Sequence, residues 1–370
     1  MKKRYKIGGA LLVVFFLCLG AGAFAISRNA PCPQNPSQSA DPDTMTTVVA
    51  ACYGGPEVLE IVQREKPAVT ENAVRVRVIA AAVNPLDWHY LRGSPYVMRL
   101  VSGLGSPSST SVGVDFAGVV DAVGAKVTTF RPGDRVFGGA DGSFSEYVVM
   151  GQDRAIAKIP DGVSFEQAAA LPIAGVTALQ ALRKGNLKAG QSVLINGASG
   201  GVGTIAVQLA KALGATVTGV CSSRNVEMVL GIGADQVVDY KTTNFTTLDA
   251  RYDLIIDNVG NHPVSALTGV LNPAGSLVVV GAAKGDWVAP LMGAVKVLFS
   301  QPFSDFDLHT LLAELKQDDV VTLAEFMRQG QLQSVIDRRF DLQDIAAAIE
   351  YSETGRARGK IIVNVTDGGP

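Results

Sequence analysis

The 370-residue chain has few histidines, few cysteines and little net charge, and each shortage excludes a class of protein. Lysine plus arginine (32) nearly balances aspartate plus glutamate (34), so no basic surface for nucleic acid is expected. The three histidines and four cysteines are scattered, without the close pairing of a zinc site or a disulfide framework. We therefore predict neither a metal site nor a disulfide. With 47% hydrophobic and 18% charged residues, the composition is typical of a folded α/β protein.

One long apolar run lies near the N-terminus, from Ile7 to Ile26. It is uncharged, has roughly the 20 residues that a membrane-spanning helix needs, and follows four basic residues. Residues 1–28 are therefore predicted to be a single-pass membrane anchor, with the side of the membrane left open. The alternative is a signal peptide cleaved after Ala23-Phe24-Ala25, which would give a secreted protein. Residues 29–45 are proline-rich and predict an extended linker, so that the folded part of the chain begins near Met45.

Short strand patterns separated by glycine and proline turns occupy Thr46 to Ile159. Apolar and charged residues alternate over Val74 to Val78, which is typical of a half-buried strand. Further strand candidates are residues 112–120, 135–137 and 146–149, and a short helix is expected over Pro85 to Arg92. This part predicts a barrel-like β domain.

From Ser192 onward, strands and helices alternate, which predicts a parallel sheet with helices on its faces. An apolar strand over Val193 to Asn196 leads into a glycine turn and then a helix over Thr204 to Leu213. Glycines at this turn let the backbone approach a pyrophosphate, and the N-terminus of the helix offers N–H groups to it. Four more strands complete a predicted Rossmann fold, a doubly wound parallel sheet. The predicted cofactor-binding residues of the turn are Ala198, which replaces the usual first glycine, and Gly200, Gly201, Val202 and Gly203.

The end of the second strand predicts which cofactor is bound. NAD-selective sites place a carboxylate there for the ribose 2′-hydroxyl, whereas this chain has Cys221 followed by Ser222 and Arg224. A hydroxyl and a guanidinium suit a 2′-phosphate, so NADPH is the predicted cofactor. The alternative is that Arg224 is only an exposed residue at the start of a helix.

Five motifs together resemble the medium-chain dehydrogenase/reductase superfamily, in its zinc-free quinone oxidoreductase branch. They are Ala81 to Trp88, Gly113 to Gly118, Pro132 to Val136, Ala198 to Gly203 and Gly359 to Val363. The resemblance implies a GroES-like catalytic domain over residues 46–168, a Rossmann NADP-binding domain over 169–311, and a return to the catalytic domain over 312–370. Substrate and nicotinamide would meet in the cleft between the domains.

The resemblance also implies the chemistry. Zinc members of the superfamily carry a cysteine near Val83 and a histidine near Val114, and neither is present here. We therefore predict a zinc-independent, NADPH-dependent oxidoreductase that transfers hydride to a lipophilic quinone or another conjugated carbonyl. The alternatives are an NADPH-dependent reductase of enal or enone double bonds and a non-catalytic NADPH-binding scaffold. A homodimer is also left open.

By the same resemblance, three residues are expected on the substrate side and four near the cofactor: Asn84, Asp87 and Tyr96, then Thr177, Tyr240, Asn258 and Gly281. Asp87 has the alternative of an acid that starts a helix, and Thr177 that of helix packing. The apolar segment Trp287 to Phe303 predicts either an entry lid or membrane-facing helix, or a buried interdomain or dimer contact.

Overall fold

The computed structural model of the chain describes residues 20, 22–33, 43–281, 285–287 and 289–366. Within them the strands are β1 Thr44–Ala50, β2 Leu59–Glu65, β3 Ala73–Val83, β4 Asp115–Val123, β5 Arg135–Gly139, β6 Tyr147–Gly151, β7 Ile156–Lys158, β8 Ser192–Asn196, β9 Thr216–Cys221, β10 Gln236–Asp239, β11 Tyr252–Asp257, β12 Leu271–Val279, β13 Asp307–Thr310, β14 Ile336–Asp341 and β15 Lys360–Asn364. After residue 43, the α-helices of the described residues are α1 Pro85–Arg92, α2 Arg99–Ser102, α3 Phe165–Ala169, α4 Pro172–Lys184, α5 Gly201–Ala212, α6 Val226–Gly231, α7 Val264–Thr268, α8 Ala289–Ser300, α9 Gln317–Arg328 and α10 Ile345–Glu353.

A parallel six-stranded sheet, in the order β10-β9-β8-β11-β12-β13, forms the predicted Rossmann half. Strand β8, in the middle of this sheet, is buried on both faces, as expected where helices cover both sides of a parallel sheet. Val193 and Ile195 join one apolar cluster with residues of α4 and α5, while Leu194 joins another with residues of α7 and α8. The predicted doubly wound fold is confirmed.

A second sheet runs in the order β14-β15-β3-β4-β5-β7, with β6 also paired to β3. Its pairings are antiparallel except for β14 with β15. The alternation along β3 has the predicted consequence, since Val74, Val76 and Val78 all point into one buried cluster. Strands β1 and β2 form a separate antiparallel hairpin. Because β15 pairs with β3, the end of the chain lies beside the start of α1.

The predicted membrane anchor over Ile7 to Ile26 is corrected. In the described part of the chain, no helix has both the length and the apolar composition that a membrane span requires. Residues 7–19 and 21 lie outside the described residues. Residues 22–27 form a short helix, here called the leader helix. The backbone carbonyls of Ile26 and Ser27 near its end accept hydrogen bonds from Arg99 of the folded enzyme, so this end is attached to protein by polar contacts.

The prediction of no disulfide is also wrong. Cys32 and Cys52 are bonded, with their Cα atoms 5.1 Å apart although 20 residues separate them in sequence. Close spacing was a poor criterion because the approach is made by tertiary contacts. Ala30 N donates to Gly105 O at 2.7 Å, and Asn29 Nδ2 donates to Tyr53 O at 3.1 Å. Part of the predicted linker therefore lies on the enzyme surface; residues 34–42 of it lie outside the described residues.

Candidate active site

The glycine turn lies at the carboxyl end of β8, directly before α5. Gly203 needs to be glycine, because a methyl group there would come within 2.1 Å of Gly197 O and 2.8 Å of Ala198 Cα. At Gly200 the nearest atom to such a methyl group is Gly197 O at 3.5 Å, so the space beside this residue is open. Ala198 is fully buried. The turn therefore packs the helix against the strand at Gly203 and leaves room for a ligand at Gly200.

A group of hydrogen-bonded polar side chains follows β9. Cys221 ends the strand, and burial raises the pKa of its thiol to about 11. Ser222 is buried next to Asn225, whose Nδ2 donates to Ser199 Oγ at 2.9 Å and to Ser222 Oγ at 3.3 Å. The buried Oδ1 of Asn225 has no hydrogen-bond partner. Arg224 is exposed, and its Nη2 donates to Arg356 O at 2.7 Å. The cofactor roles of Ser222 and Arg224 stay predictions; sequence reasoning did not name Asn225, which only the fold brings to the glycine turn.

Three of the other predicted cofactor residues follow strands at the same edge of the sheet: Tyr240 after β10, Asn258 after β11 and Gly281 after β12. Asn258 N and Nδ2 both donate to Asn196 O, while its buried Oδ1 has no partner. Gly281 allows close approach to this loop, because a methyl group there would lie 2.3 Å from Asn258 O. Tyr240 follows β10 and is exposed. Thr177 is buried in α4 and its hydroxyl donates to Ile173 O at 2.6 Å, a contact within the helix that fits the packing alternative.

A buried polar network lies where α1 begins. Lys360 Nζ donates to Asn84 Oδ1 at 2.6 Å and lies 3.2 Å from Asp115 Oδ2. Asn84 Nδ2 completes the triangle by donating to Asp115 Oδ2 at 2.9 Å. All three residues are at most 3% exposed. Sequence reasoning placed Asn84 here but missed its two partners, although Asp115 and Lys360 both stand in the motifs that carry the resemblance.

Asp87 is buried beside this network and caps α1. Its Oδ2 accepts from Asn84 N at 2.7 Å, so the helix-starting alternative describes its contacts. Burial raises the pKa of Asp87 to about 7, opposed by the bond from Asn84 N and raised further by Asp115. Burial also raises the pKa of Asp115, although Lys360 and Asn84 oppose the shift. The pKa of each acid should therefore rise further if a neighbouring hydrogen-bond donor is lost.

The network also touches the glycine turn and α4. Gly200 forms a parallel bridge with Gly359, and a methyl group on Gly201 would come within 3.1 Å of Lys360 Cδ. On the other side, Ile173 N near the start of α4 donates to Asp115 Oδ1 at 2.9 Å. The structure thus brings Asn84 and Asp87 together with the turn that contains Gly200 and Gly201.

Tyr96 lies on a separate loop, between α1 and α2. Its ring meets Trp287 edge-on, with centroids 4.9 Å apart, and its backbone N donates to Asp286 O at 2.7 Å. The loop therefore contacts the segment that follows β12. Helix α8, in the predicted apolar segment, buries Val297 but leaves Leu298 and Phe299 about 70% exposed, which does not fit a buried interdomain contact and does not test a dimer contact.

Comparison with known proteins places this geometry in a family. Residues 70–161 match the family described as alcohol dehydrogenase GroES-like domain, and residues 232–363 match the one described as zinc-binding dehydrogenase. A chloroplastic quinone oxidoreductase of Triphysaria versicolor is 35% identical over 328 residues, covering 84% of this chain and 95% of that protein. The chain belongs to the medium-chain dehydrogenase/reductase superfamily, in the quinone oxidoreductase branch. It is therefore an oxidoreductase with a GroES-like domain and a Rossmann domain.

Two further relatives of this superfamily are similar to most of the chain. The chloroplastic NADPH-dependent alkenal/one oxidoreductase of Arabidopsis thaliana is 30% identical over 366 residues, covering 92% of this chain and 84% of that protein. The solved structure of the quinone oxidoreductase from Coxiella burnetii matches with a TM-score of 0.77 and 31% identity, covering 87% of this chain and all of that chain. The predicted superfamily and enzyme class are confirmed.

The two positions at which zinc members of the superfamily carry ligands hold valines in this chain. The structure has Val83 at the end of β3 and Val114 just before β4, neither of which can bind zinc. Among the described residues, no group of three or more histidine, cysteine, aspartate or glutamate side chains is arranged to hold a metal. Zinc independence stays a prediction, to be tested below.

Proposed function

We propose that the protein is an NADPH-dependent reductase that delivers hydride to a quinone or a similar conjugated carbonyl. The observation that carries this proposal is the contact between the glycine turn and the network of Lys360, Asn84 and Asp115. It joins the nucleotide-binding edge of one sheet to the start of α1 on the other. A cofactor bound at the turn would thus have its reactive end close to the candidate substrate residues.

Three features fit NADPH. Open space at Gly200 and the N-terminus of α5 suit a pyrophosphate. The unpartnered oxygens of Asn225 and Asn258 lie after β9 and β11, and a ribose hydroxyl could satisfy each of them. Ser222, Arg224 and the absence of a carboxylate at the end of β9 suit a 2′-phosphate, although Arg224 would have to leave Arg356 O.

When bound, NADPH supplies the hydride, and we propose that the side chains supply position and shape. Asn84 and Asp87 have their contacts satisfied within the protein, so they would hold the start of α1 in place beside the cofactor turn. Tyr96 is half-buried and lies across from Trp287, so it would line the substrate side and orient the acceptor. Thr177, Tyr240 and Gly281 would shape the cofactor cleft.

The division into a GroES-like part (residues 46–168 and 312–370) and a Rossmann part (169–311) is retained as part of the proposal, as is a homodimer. The antiparallel pairing of β15 with β3 supports the division, because it places residues of the last segment in the same sheet as residues of the first.

The test is NADPH oxidation by the purified protein with a panel of quinones, enones, enals and saturated aldehydes. We expect oxidation with quinones and much slower oxidation with saturated aldehydes, because no Lewis acid is expected to activate an isolated carbonyl. Tight NADPH binding without oxidation by any acceptor would overturn the proposal in favour of the scaffold alternative.

Reduction of enal or enone double bonds is the second candidate function. It is favoured by the similarity to the alkenal/one oxidoreductase of Arabidopsis thaliana. Product analysis separates the two functions, because a quinone yields a hydroquinone and an enone yields the saturated ketone. A higher kcat/KM for enones than for quinones would make this the main activity.

A further inference from the structure

The segment of residues 22–33 is attached to the enzyme next to the Tyr96 loop. The bond between Cys32 and Cys52 is its covalent link, and hydrogen bonds from Asn29 and Ala30 add two polar links. Cys52 is buried and Cys32 is exposed. We call residues 22–33 the strap.

Arg99 is the residue on which the strap rests. Its side chain is 1% exposed, and its described hydrogen bonds all go to backbone carbonyls. Nε and Nη2 donate within its own region, to Gly93 O at 2.8 Å and Arg92 O at 3.1 Å. Nη1 donates to carbonyls of the strap at the end of the leader helix, including Ile26 O and Ser27 O at 3.1 Å each. A cation suits this end of a helix, where carbonyls are unpaired. Without the strap, Nη1 would lose these acceptors.

The guanidinium of Arg99 also stacks between two tyrosine rings. It lies 4.4 Å from the ring centroid of Tyr53 and 4.7 Å from that of Tyr96. Tyr53 follows the bonded Cys52 directly, and its hydroxyl donates to Gly103 O at 2.8 Å on the far side of the loop. The disulfide, Tyr53, Arg99 and Tyr96 therefore form a continuous series of contacts.

The series ends at the segment that follows β12. Tyr96 contacts Trp287 edge-on, and Ser94 Oγ donates to Asp286 Oδ1 at 2.6 Å. A displacement of Arg99 would release one face of the Tyr96 ring and change its approach to Trp287. The loop that contains Tyr96 thus depends on the strap at one end and contacts Asp286 at the other.

We propose that Arg99 is a positioning residue for Tyr96, and that the Cys32–Cys52 disulfide makes this positioning redox-sensitive by holding the strap on Arg99. Thiol–disulfide exchange with a small or protein dithiol breaks the bond: two electrons and two protons pass to the cysteines, and the dithiol is oxidised to its own disulfide. The attacking thiolate reacts with Sγ of Cys32, because Cys32 is exposed and Cys52 is buried. The strap then stays tethered through the chain but binds Arg99 less tightly. Only the effect on substrate rests on the proposed function.

The first test measures the surroundings of Trp287 and the attachment of the strap, and it needs no turnover. Trp88 and Trp287 are the two tryptophans of the chain, so a Trp88→Phe background reports Trp287 alone. Dithiothreitol should shift the Trp287 fluorescence and expose the strap to limited proteolysis. Cys32→Ser should show the reduced signal with or without dithiothreitol, and Cys52→Ser should match it. Cys221 should not contribute, since burial raises the pKa of its thiol to about 11.

The second test measures KM and kcat of the full chain. Reduction, or Cys32→Ser, should raise KM for a bulky acceptor by roughly 3- to 10-fold with little change in kcat or in NADPH affinity. Arg99→Ala should raise it at least as much under oxidising conditions, and Arg99→Lys should restore part of the loss. Identical fluorescence, proteolysis and KM for the oxidised chain and Cys32→Ser would overturn the proposal. A fluorescence response in a protein that reduces no acceptor would instead refute the proposed function and leave the strap standing.

Discussion

Replacing Lys360 with methionine should destabilise the protein strongly, because it leaves Asp115 as a buried acid without its cation. Lys360 and Asp115 are 3% and 0% exposed, with 3.2 Å between Nζ and Oδ2. Removing one partner of such a pair costs about 3–5 kcal/mol. At roughly 2–4 °C per kcal/mol for a unit of this size, Tm should fall by roughly 6–20 °C. Thermal unfolding followed by circular dichroism measures this directly.

A pH series and two control variants sharpen this prediction. In Lys360→Met, the pKa of Asp115 should rise further above its ordinary 3.8, so the folded state binds a proton that the unfolded state has lost. The stability of the variant should therefore fall as pH rises from about 4 through the folded pKa. Adding Asp115→Asn should recover part of the loss. Arg328→Met breaks an exposed pair with Glu325 and should change Tm little. A Tm for Lys360→Met equal to that of Arg328→Met would refute the reasoning.

Three further predictions follow from the site. Arg224→Ala should weaken NADPH binding by roughly 10- to 100-fold, about 1.5–3 kcal/mol, and leave NADH binding nearly unchanged in calorimetry; equal losses would remove Arg224 from the 2′-phosphate site. Burial raises the pKa of Asp87 to about 7, so the folded protein keeps a proton on Asp87 that the unfolded chain loses above about pH 4. The free energy of unfolding of the wild type should therefore fall, relative to that of Asp87→Asn, as pH rises from about 4 to 7. Parallel pH profiles of the two proteins would contradict this. Treatment with a chelator should leave turnover unchanged, whereas zinc that is lost together with activity would show that the enzyme is metal-dependent.

The Rossmann half was readable from the sequence because its signals are local. Strand β8, the glycine turn and helix α5 follow one another directly along the chain. Gly203 is required by contacts with Gly197 and Ala198, which are close to it in sequence. The same holds for α1, which runs over the predicted Pro85 to Arg92.

The missed features all depend on contacts between distant parts of the chain. Lys360 meets Asn84 across 276 residues, and no periodicity reports such a contact. Cys32 and Cys52 are brought together by the docking of the strap, so a rule based on close spacing could not find them. The apolar run Ile7 to Ile26 matched a membrane helix in composition, but composition does not show that its last residue, Ile26, and the following Ser27 accept hydrogen bonds from Arg99.

The most direct test of the central claim follows the hydride itself. NADPH deuterated at the transferred C4 position should be oxidised more slowly than NADPH in single-turnover reactions with a quinone or an enone, if transfer of that hydrogen limits the step. With an enone, the deuterium should appear at the β-carbon of the saturated ketone, with one NADPH consumed for each product molecule. Deuterium that stays on the cofactor, with no acceptor reduced while NADPH binds tightly, would contradict the account.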